Sequence, residues 1–480
     1  MAAIDDFIQA NEFDKVKSEL IRKPNFFEEK IEPEEIIGQY ETMTHKIMKK
    51  SDKLITTTDE QGTESKSSVP VSKLAIPFQK LIVARIVSFL ANNGIKIQST
   101  PSDTKQSTVL QMINRLLDGN KMDYQTRKVL RILFSEREVA ELWFFAEDAE
   151  YWLSVKGVES SMFKMRMKIL ANSLGDKLWP HFDIYGDMDV FSREYTVQES
   201  ASKTTTRFDV YTADFIYKYV SNEGKWGLDS DPLLKSNPAS NLLKKIPVIY
   251  YAQAYTEWHD VQTLIDRYEE TLSSFSDTID YNGSPIIFIE GAIKGFSAKG
   301  ERGKVIEGEP GTKASYLSWQ QAPEAIKLEL ETLEKQIYTM TQTPPISFSE
   351  MKSIGGTLSG VAIQMLFMDA HLKCFNKQEI VGEGIQRRLN LLKSAIANVI
   401  AVSFKPSADS LSVKPEFKFF LPVNKKEESE NLLLLTGNKP VLSQQTAVNN
   451  APYVDDAAAE YARIQEEEKA SANLANSFIP

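Results

Sequence analysis

Apolar residues recur at three- and four-residue steps in some stretches of this chain and alternate with polar ones in others. From 257 to 280 (EWHDVQTLIDRYEETLSSFSDTID), Trp258, Val261, Ile265, Tyr268, Leu272, Phe275 and Ile279 keep a 3-4 alternation. That spacing predicts an amphipathic helix with one narrow stripe. Ile326, Leu330, Leu333, Ile337 and Met340 predict a second such helix over 323–341. Narrow stripes with charged flanks suit helices that lie side by side at shallow angles. At about 1.5 Å per residue, the first spans roughly 35 Å. Between them, 281–322 holds SPIIFIEGAI, the basic, glycine-rich KGFSAKGERGKVIEGEPGTK, and YLSW, which predicts a small β module with a charged tip.

Other periodicities fill in the rest. Residues 1–56 read as helical, with Phe7, Ile8, Phe13, Val16, Leu20 and Ile21 at helical spacing, and TTTDEQGTESKSS (56–68) reads as a loop or hairpin tip. After Pro77, a buried helix is marked by Phe78, Leu81, Ile82, Ile86, Val87 and Leu90 and stopped by Asn92, Asn93 and Gly94. Further helices are predicted at 105–118, 122–134 and 136–152. From 160 to 255, aromatic and β-branched runs separated by turn residues predict a mostly antiparallel β region within an α+β domain. After 341, Pro344 and Pro345 end the second helix, and Gly355 and Gly356 permit a sharp turn. Thr357 or Ser359 can cap a very long helix over about 358–402, with Leu366, Ile385, Leu389, Leu392 and Ile396 among its apolar positions. A strand (412–421) and a helix-turn-helix-helix segment close the chain.

Charge and composition narrow the function. The net charge of −10 is the wrong sign for tight duplex binding, which draws its affinity from lysines and arginines. One cysteine, Cys374, excludes an intrachain disulfide and a thiolate metal site. His45, His181, His259 and His371 lie far apart, with no H-x-x-x-H or H-E-x-x-H spacing. The polar start MAAIDDFIQANEFDK carries no secretory signal, and no run of about 18 apolar residues exists to cross a bilayer. A soluble protein from a reducing cytoplasm is expected.

Catalytic motifs are missing. No phosphate loop, nucleophile elbow or dinucleotide fingerprint occurs. SIGGTLSG can cradle an anion at a helix start, but without a following lysine or nearby metal ligands a hinge loop is the simpler reading. Asp187/Asp189 and Asp455/Asp456 can bind a hard cation, or be solvated turn carboxylates. The chain is read as a non-enzyme with no cofactor and no metal.

The order of parts resembles the portal proteins of tailed bacteriophages, specifically the siphophage-type family, from about residue 35 to 470. YETMTHKIMKK (40–50) is similar to the family's Y-x-x-x-x-H-x-I element. IPFQKLIVARIVSFLANNGIKI looks like its helix ending at a glycine before a short strand, and IPVIYYAQAYTEWHDVQTLIDRYEETLSSFSDTID is similar to the segment entering the stem. GGTLSGVAIQMLFMDAHLK (355–373) resembles S-G-x-A-L-x-x-x-x-x-x-L-x-x-K, with Ile363 in place of a leucine. The closing LTGNKPVLSQQTAVNNAPYVDDAAAEYARIQEEE resembles the crown motif, where Pro452, Val454 and Asp455 precede Glu460, Arg463 and Ile464.

The resemblance implies an α+β portal fold: N-terminal arm and wing (1–255), first stem helix (256–280), clip (281–322), second stem helix (323–341), tunnel loop (342–357), spine helix and wing strand (358–424) and crown (425–480). It implies a ring of twelve subunits at one capsid vertex of the virion, made in the host cytoplasm. Double-stranded DNA would pass non-specifically through it. The implied partners are the terminase large subunit, head-completion or adaptor proteins, and the major capsid and scaffold proteins, with no membrane. Stem ring packing would fall to Val261, Ile265, Tyr268, Leu272, Phe275, Leu330, Leu333 and Ile337. Thr343, Ser347, Ser349, Lys352 and Ser353 would face passing DNA, or form an ordinary exposed turn. Lys294, Lys299, Arg302 and Lys304 of the clip would meet an acidic partner or emerging DNA, or form a solvated loop. A net-acidic subunit suits a channel that must not grip phosphates. The rival readings are a non-viral helical scaffold or adaptor, and an enzyme acting on nucleic acid.

Overall fold

A computed structural model describes residues 2–21, 32–58, 64–91, 94–200, 203–222, 224–230, 236–282, 286–291, 293–296, 306–308, 310–317, 322–345, 365, 367–417, 425–437, 441–451, 454 and 456–477. The described residues pack as two units: 1–343 with 373–419, and 344–372 with 420–480.

The larger unit is built on two antiparallel sheets. One has the order β10-β9-β8-β7-β6, from β6 (Asp176–Phe182), β7 (Met188–Gln198), β8 (Thr204–Tyr211), β9 (Phe215–Asn222) and β10 (Lys225–Leu228), with the short Ala239–Ser240 strand also on β9. The other is β12-β4-β5, from β4 (Glu138–Glu147), β5 (Phe163–Leu170) and β12 (Val248–Ala252). Their facing side chains, among them Leu142, Leu178, Phe191, Tyr211 and Tyr250, make one apolar layer. The opposite face of the larger sheet is covered by α1 (Ala2–Ala10) and α2 (Phe13–Leu20), whose Ile8, Phe13, Val16 and Leu20 pack on Val190, Phe208, Val210, Tyr217 and Tyr219. The antiparallel β region expected between 160 and 255 is present.

The helix expected over 136–152 is not formed. Helix α6 (Met122–Glu136) stops at Arg137, whose φ of 72° is left-handed, and the chain turns directly into β4. EVAELWFFAE is apolar on both faces, so its periodicity fits a buried strand as well as a helix. Pairing with β12 and β5 on either side decides for the strand. Residues 53–56 likewise leave the expected N-terminal helical region: Lys53–Thr58 pairs with Glu64–Val69 as a hairpin.

Several helices follow expectation: α3 (Pro33–Tyr40), α4 (Phe78–Ala91), α5 (Thr104–Gly119), α7 (Gln262–Asn282) and α8 (Ala322–Met340). A 3-10 turn, His259–Val261, leads into α7, so its regular part begins later than residue 257. Helix α9 (Met368–Ala395) runs into a π-turn at Ile396–Ile400. The GGTLSG start of the expected long helix lies outside the described residues. The insert between α7 and α8 has two antiparallel ladders, Ile286–Glu290 with Lys313–Leu317 and Ile293–Phe296 with Ile306–Gly308. Strand Val413–Phe417 pairs with Ile95–Ser99.

The smaller unit carries helices Lys425–Thr436, Gln444–Asn449 and Ala457–Ser477. Ser443 caps the second by accepting from the Thr446 amide at 3.2 Å, and Asp456 caps the third by accepting from Ala458 and Ala459.

Candidate functional site

The α7/α8 hairpin carries the stripes that drew attention in the sequence, and exposure along it is graded. At the base of α7, Trp258, Val261 and Ile265 are fully buried; Tyr268, Leu272 and Phe275 are half-buried; Ile279 is 52% exposed. On α8, which returns toward the base, Leu330 is half-buried while Leu333 and Ile337 are buried. The base docks on α4: the Phe78 ring lies edge-on to Tyr268 (5.1 Å) and to Tyr338 (5.8 Å). Arg267 of α7 and Glu329 of α8 tie the two helices across their exposed side at 2.8 Å.

This grading divides the eight residues expected to pack the ring. Val261, Ile265, Leu333 and Ile337 already have their partners inside the subunit, because a side chain with no accessible surface has none to offer a neighbour. Tyr268, Leu272, Phe275 and Leu330 keep part of their surface free.

The beginning of the expected DNA-facing loop is also internal. Thr341 and Thr343 are 3% and 1% exposed, and their hydroxyls bond each other at 2.7 Å. The Thr343 side chain therefore faces the protein interior, which corrects its expected place against DNA. Helix α8 ends in a Schellman arrangement: the Thr343 amide donates to Tyr338 O and the Gln342 amide to Thr339 O, with Gln342 at a left-handed φ of 55°. Ser347, Ser349, Lys352 and Ser353 lie outside the described residues. So do Lys299, Arg302 and Lys304; Lys294 sits on strand Ile293–Phe296, but its side chain is not among those described.

Sequence periodicity missed the polar flank of α7. Glu269, Ser273 and Asp277 recur every fourth residue and are hydrogen-bond acceptors for the extended segment 72–76. Glu269 Oε1 accepts from the Ile76 amide at 2.8 Å, Ser273 Oγ from Leu74 at 2.9 Å, and Asp277 Oδ1 from Ser72 at 2.7 Å. Four helical residues rise about 6 Å and two extended residues about 6.6 Å, so the registers match without a sheet. The Ser72 amide holds the Asp277 carboxyl below its usual range. A polar i, i+4, i+8 row beside an apolar stripe was the available signal.

Two buried ion pairs tie α9 to the rest of the larger unit. Arg388 forms a two-pronged contact with Glu141 of β4, Nε donating to Oε2 at 3.0 Å, while Tyr251 donates to Oε1 at 3.0 Å and Trp143 to Oε2 at 3.1 Å. Nearer the hairpin, Glu257 is held by Lys373 (3.0 Å) and Lys377 (2.6 Å). Burial alone would push the Glu257 carboxyl up; the two ammonium groups outweigh it and hold the carboxyl below its ordinary value. Cys374 beside them is buried, and burial pushes its thiol up to about 12, where it is not a nucleophile at neutral pH. Among the described residues no group of His, Cys, Asp or Glu is placed to hold a metal, and no helix is long and apolar enough to cross a membrane.

The family model described as "Phage portal protein, SPP1 Gp6-like" matches residues 21–474. The portal protein of Bacillus phage SPP1 is 22% identical over 421 residues, covering 84% of this chain and 77% of that protein. Among solved structures, the neck of a native gene transfer agent particle with C12 symmetry aligns over 77% of this chain and 89% of its own, at 11% identity and a TM-score of 0.39. The neck of an empty particle with C6 symmetry aligns over 77% and 87%, at 11% identity and 0.37. With the family model spanning nearly the whole length, the chain belongs to the phage portal protein family.

Proposed function

We propose that this chain is the subunit of a closed ring at one capsid vertex of a phage particle, through which double-stranded DNA enters and leaves. The observation that carries the reading is the graded exposure of the α7/α8 hairpin. Its base is anchored in its own subunit, while Leu272, Phe275, Ile279 and Leu330 toward the far end retain apolar surface. Apolar surface on paired rods is covered when copies related by a rotation axis stand side by side, each giving one flank and receiving the other. The net charge of −10 keeps such a ring from gripping the phosphates that must slide past.

In this reading the 281–322 insert is the clip. Its basic residues Lys294, Lys299, Arg302 and Lys304 meet the terminase large subunit during packaging and head-completion proteins afterwards. Ser347, Ser349, Lys352 and Ser353 line the passage, and the ring has twelve subunits. Electron microscopy of the purified protein viewed down its symmetry axis tests this. Closed rings of about a dozen copies with a DNA-sized pore are expected. Monomers or dimers at all concentrations would end the proposal. Replacing Leu272 and Phe275 together with serine should weaken ring closure while leaving the monomer folded.

A further inference from the structure

Lys373 touches more than its carboxylate partner. Its Nζ donates to the Thr341 carbonyl at 2.8 Å as well as pairing with Glu257 at 3.0 Å. Thr341 caps the C-terminus of α8, where carbonyls lack intrahelical donors and the helix dipole is negative. Glu257 stands just before the turn that starts α7, and Lys373 lies in the second turn of α9. One ammonium group therefore bonds the beginning of α7, the end of α8 and α9. Two residues past Thr341, the Thr343 carbonyl accepts from Arg85 Nη1 at 2.9 Å, and the Arg85 guanidinium lies over the Tyr338 ring. Lys377, the other partner of Glu257, donates its further hydrogen bond to Gln253 rather than to Thr341.

We infer that Lys373 is a positioning residue: it pins the residues on either side of 344–372 to each other and to the base of the α7/α8 hairpin. Lys377 has the different task of keeping Glu257 ionised and in place. The inference deepens the portal reading and rests on it for its consequence in DNA passage, whereas the joint itself can be measured in the purified protein.

The test is amide hydrogen exchange on full-length protein, comparing Lys373→Met, Lys373→Arg and Lys377→Met. In Lys373→Met, Glu257 keeps Lys377 and the fold persists, but the amides of 341–343 should exchange at least about tenfold faster. Lys373→Arg, which can still donate to both oxygens, should stay within about threefold of the parent. Lys377→Met should leave those amides unchanged. Equal loss of protection in Lys377→Met, or none in Lys373→Met, would overturn the assignment. In phage particles, Lys373→Met should leave rings assembled but lower the DNA packaged per head, with Lys373→Arg restoring it; normal packaging would remove the functional half of the inference. Failure of the parent protein to form rings would count against the portal reading and leave the exchange result standing.

Discussion

Glu269 and His45, 224 positions apart, meet at 2.7 Å with both side chains almost wholly buried. The same carboxylate oxygen accepts from the Ile76 amide, so one side chain on α7 holds two separate parts of the N-terminal region. Removing it leaves a part-buried amide and a buried imidazole without their acceptor.

Glu269→Ala is accordingly expected to lower stability by about 3 kcal/mol, the cost of leaving two hydrogen-bonding groups without their acceptor. Chemical denaturation of the purified subunit reads this directly. A cost under about 0.5 kcal/mol would mean that water replaces the carboxylate, and that the strap at 72–76 is not held by α7.

Gly384 of α9 packs on Tyr251 so closely that an added Cβ would lie 1.9 Å from the Tyr251 Cε1. The ring cannot turn aside, because its hydroxyl is bonded to Glu141 and to Arg388. Gly384→Ala should therefore cost more than alanine's gain in helix propensity, on the order of 2 kcal/mol net. Thermal unfolding checks it, and an unchanged or raised midpoint would show that the helix and strand can separate freely.

Gln342 adopts the left-handed conformation at the C-terminus of α8 that glycine occupies without strain. Gln342→Gly should stabilise the subunit by roughly 1 kcal/mol, measured by urea unfolding. A destabilised variant would show that the glutamine side chain does more than tolerate its backbone.

The Glu257 carboxyl has its pKa depressed by Lys377 and Lys373 against the opposing effect of burial. A depressed folded-state value contributes stability that is present above the unfolded carboxylate pKa of about 4.3 and disappears as pH falls through the lower folded one. The parent protein should thus be more stable than Glu257→Gln at pH 7, and the gap should close below about pH 4. A stability difference independent of pH from 7 to 3 would contradict this.

Much of the architecture was legible because it follows from local rules. The stripes of α7 and α8, the buried α4 helix and the turn-punctuated β region are each dictated by spacing that admits one regular structure. The order of those segments also carried the family resemblance. The strand at 138–147 was not legible, because an apolar run without periodicity fits a strand or a helix equally. The β12 and β5 neighbours that decide it lie elsewhere in the chain.

The sequence by itself determined that α7 and α8 each have one apolar stripe, that the chain is acidic, and that its single cysteine allows no intrachain disulfide. Only the tertiary structure decided which part of each stripe is spent inside the subunit, since Ile265 and Ile279 are equivalent by spacing and opposite in exposure. It also decided that Thr343 turns inward, and that Lys373 reaches both Glu257 and Thr341. Hydrophobic periodicity is a property of neighbours along a helix, whereas burial and charge pairing depend on residues that only folding brings within a few ångströms.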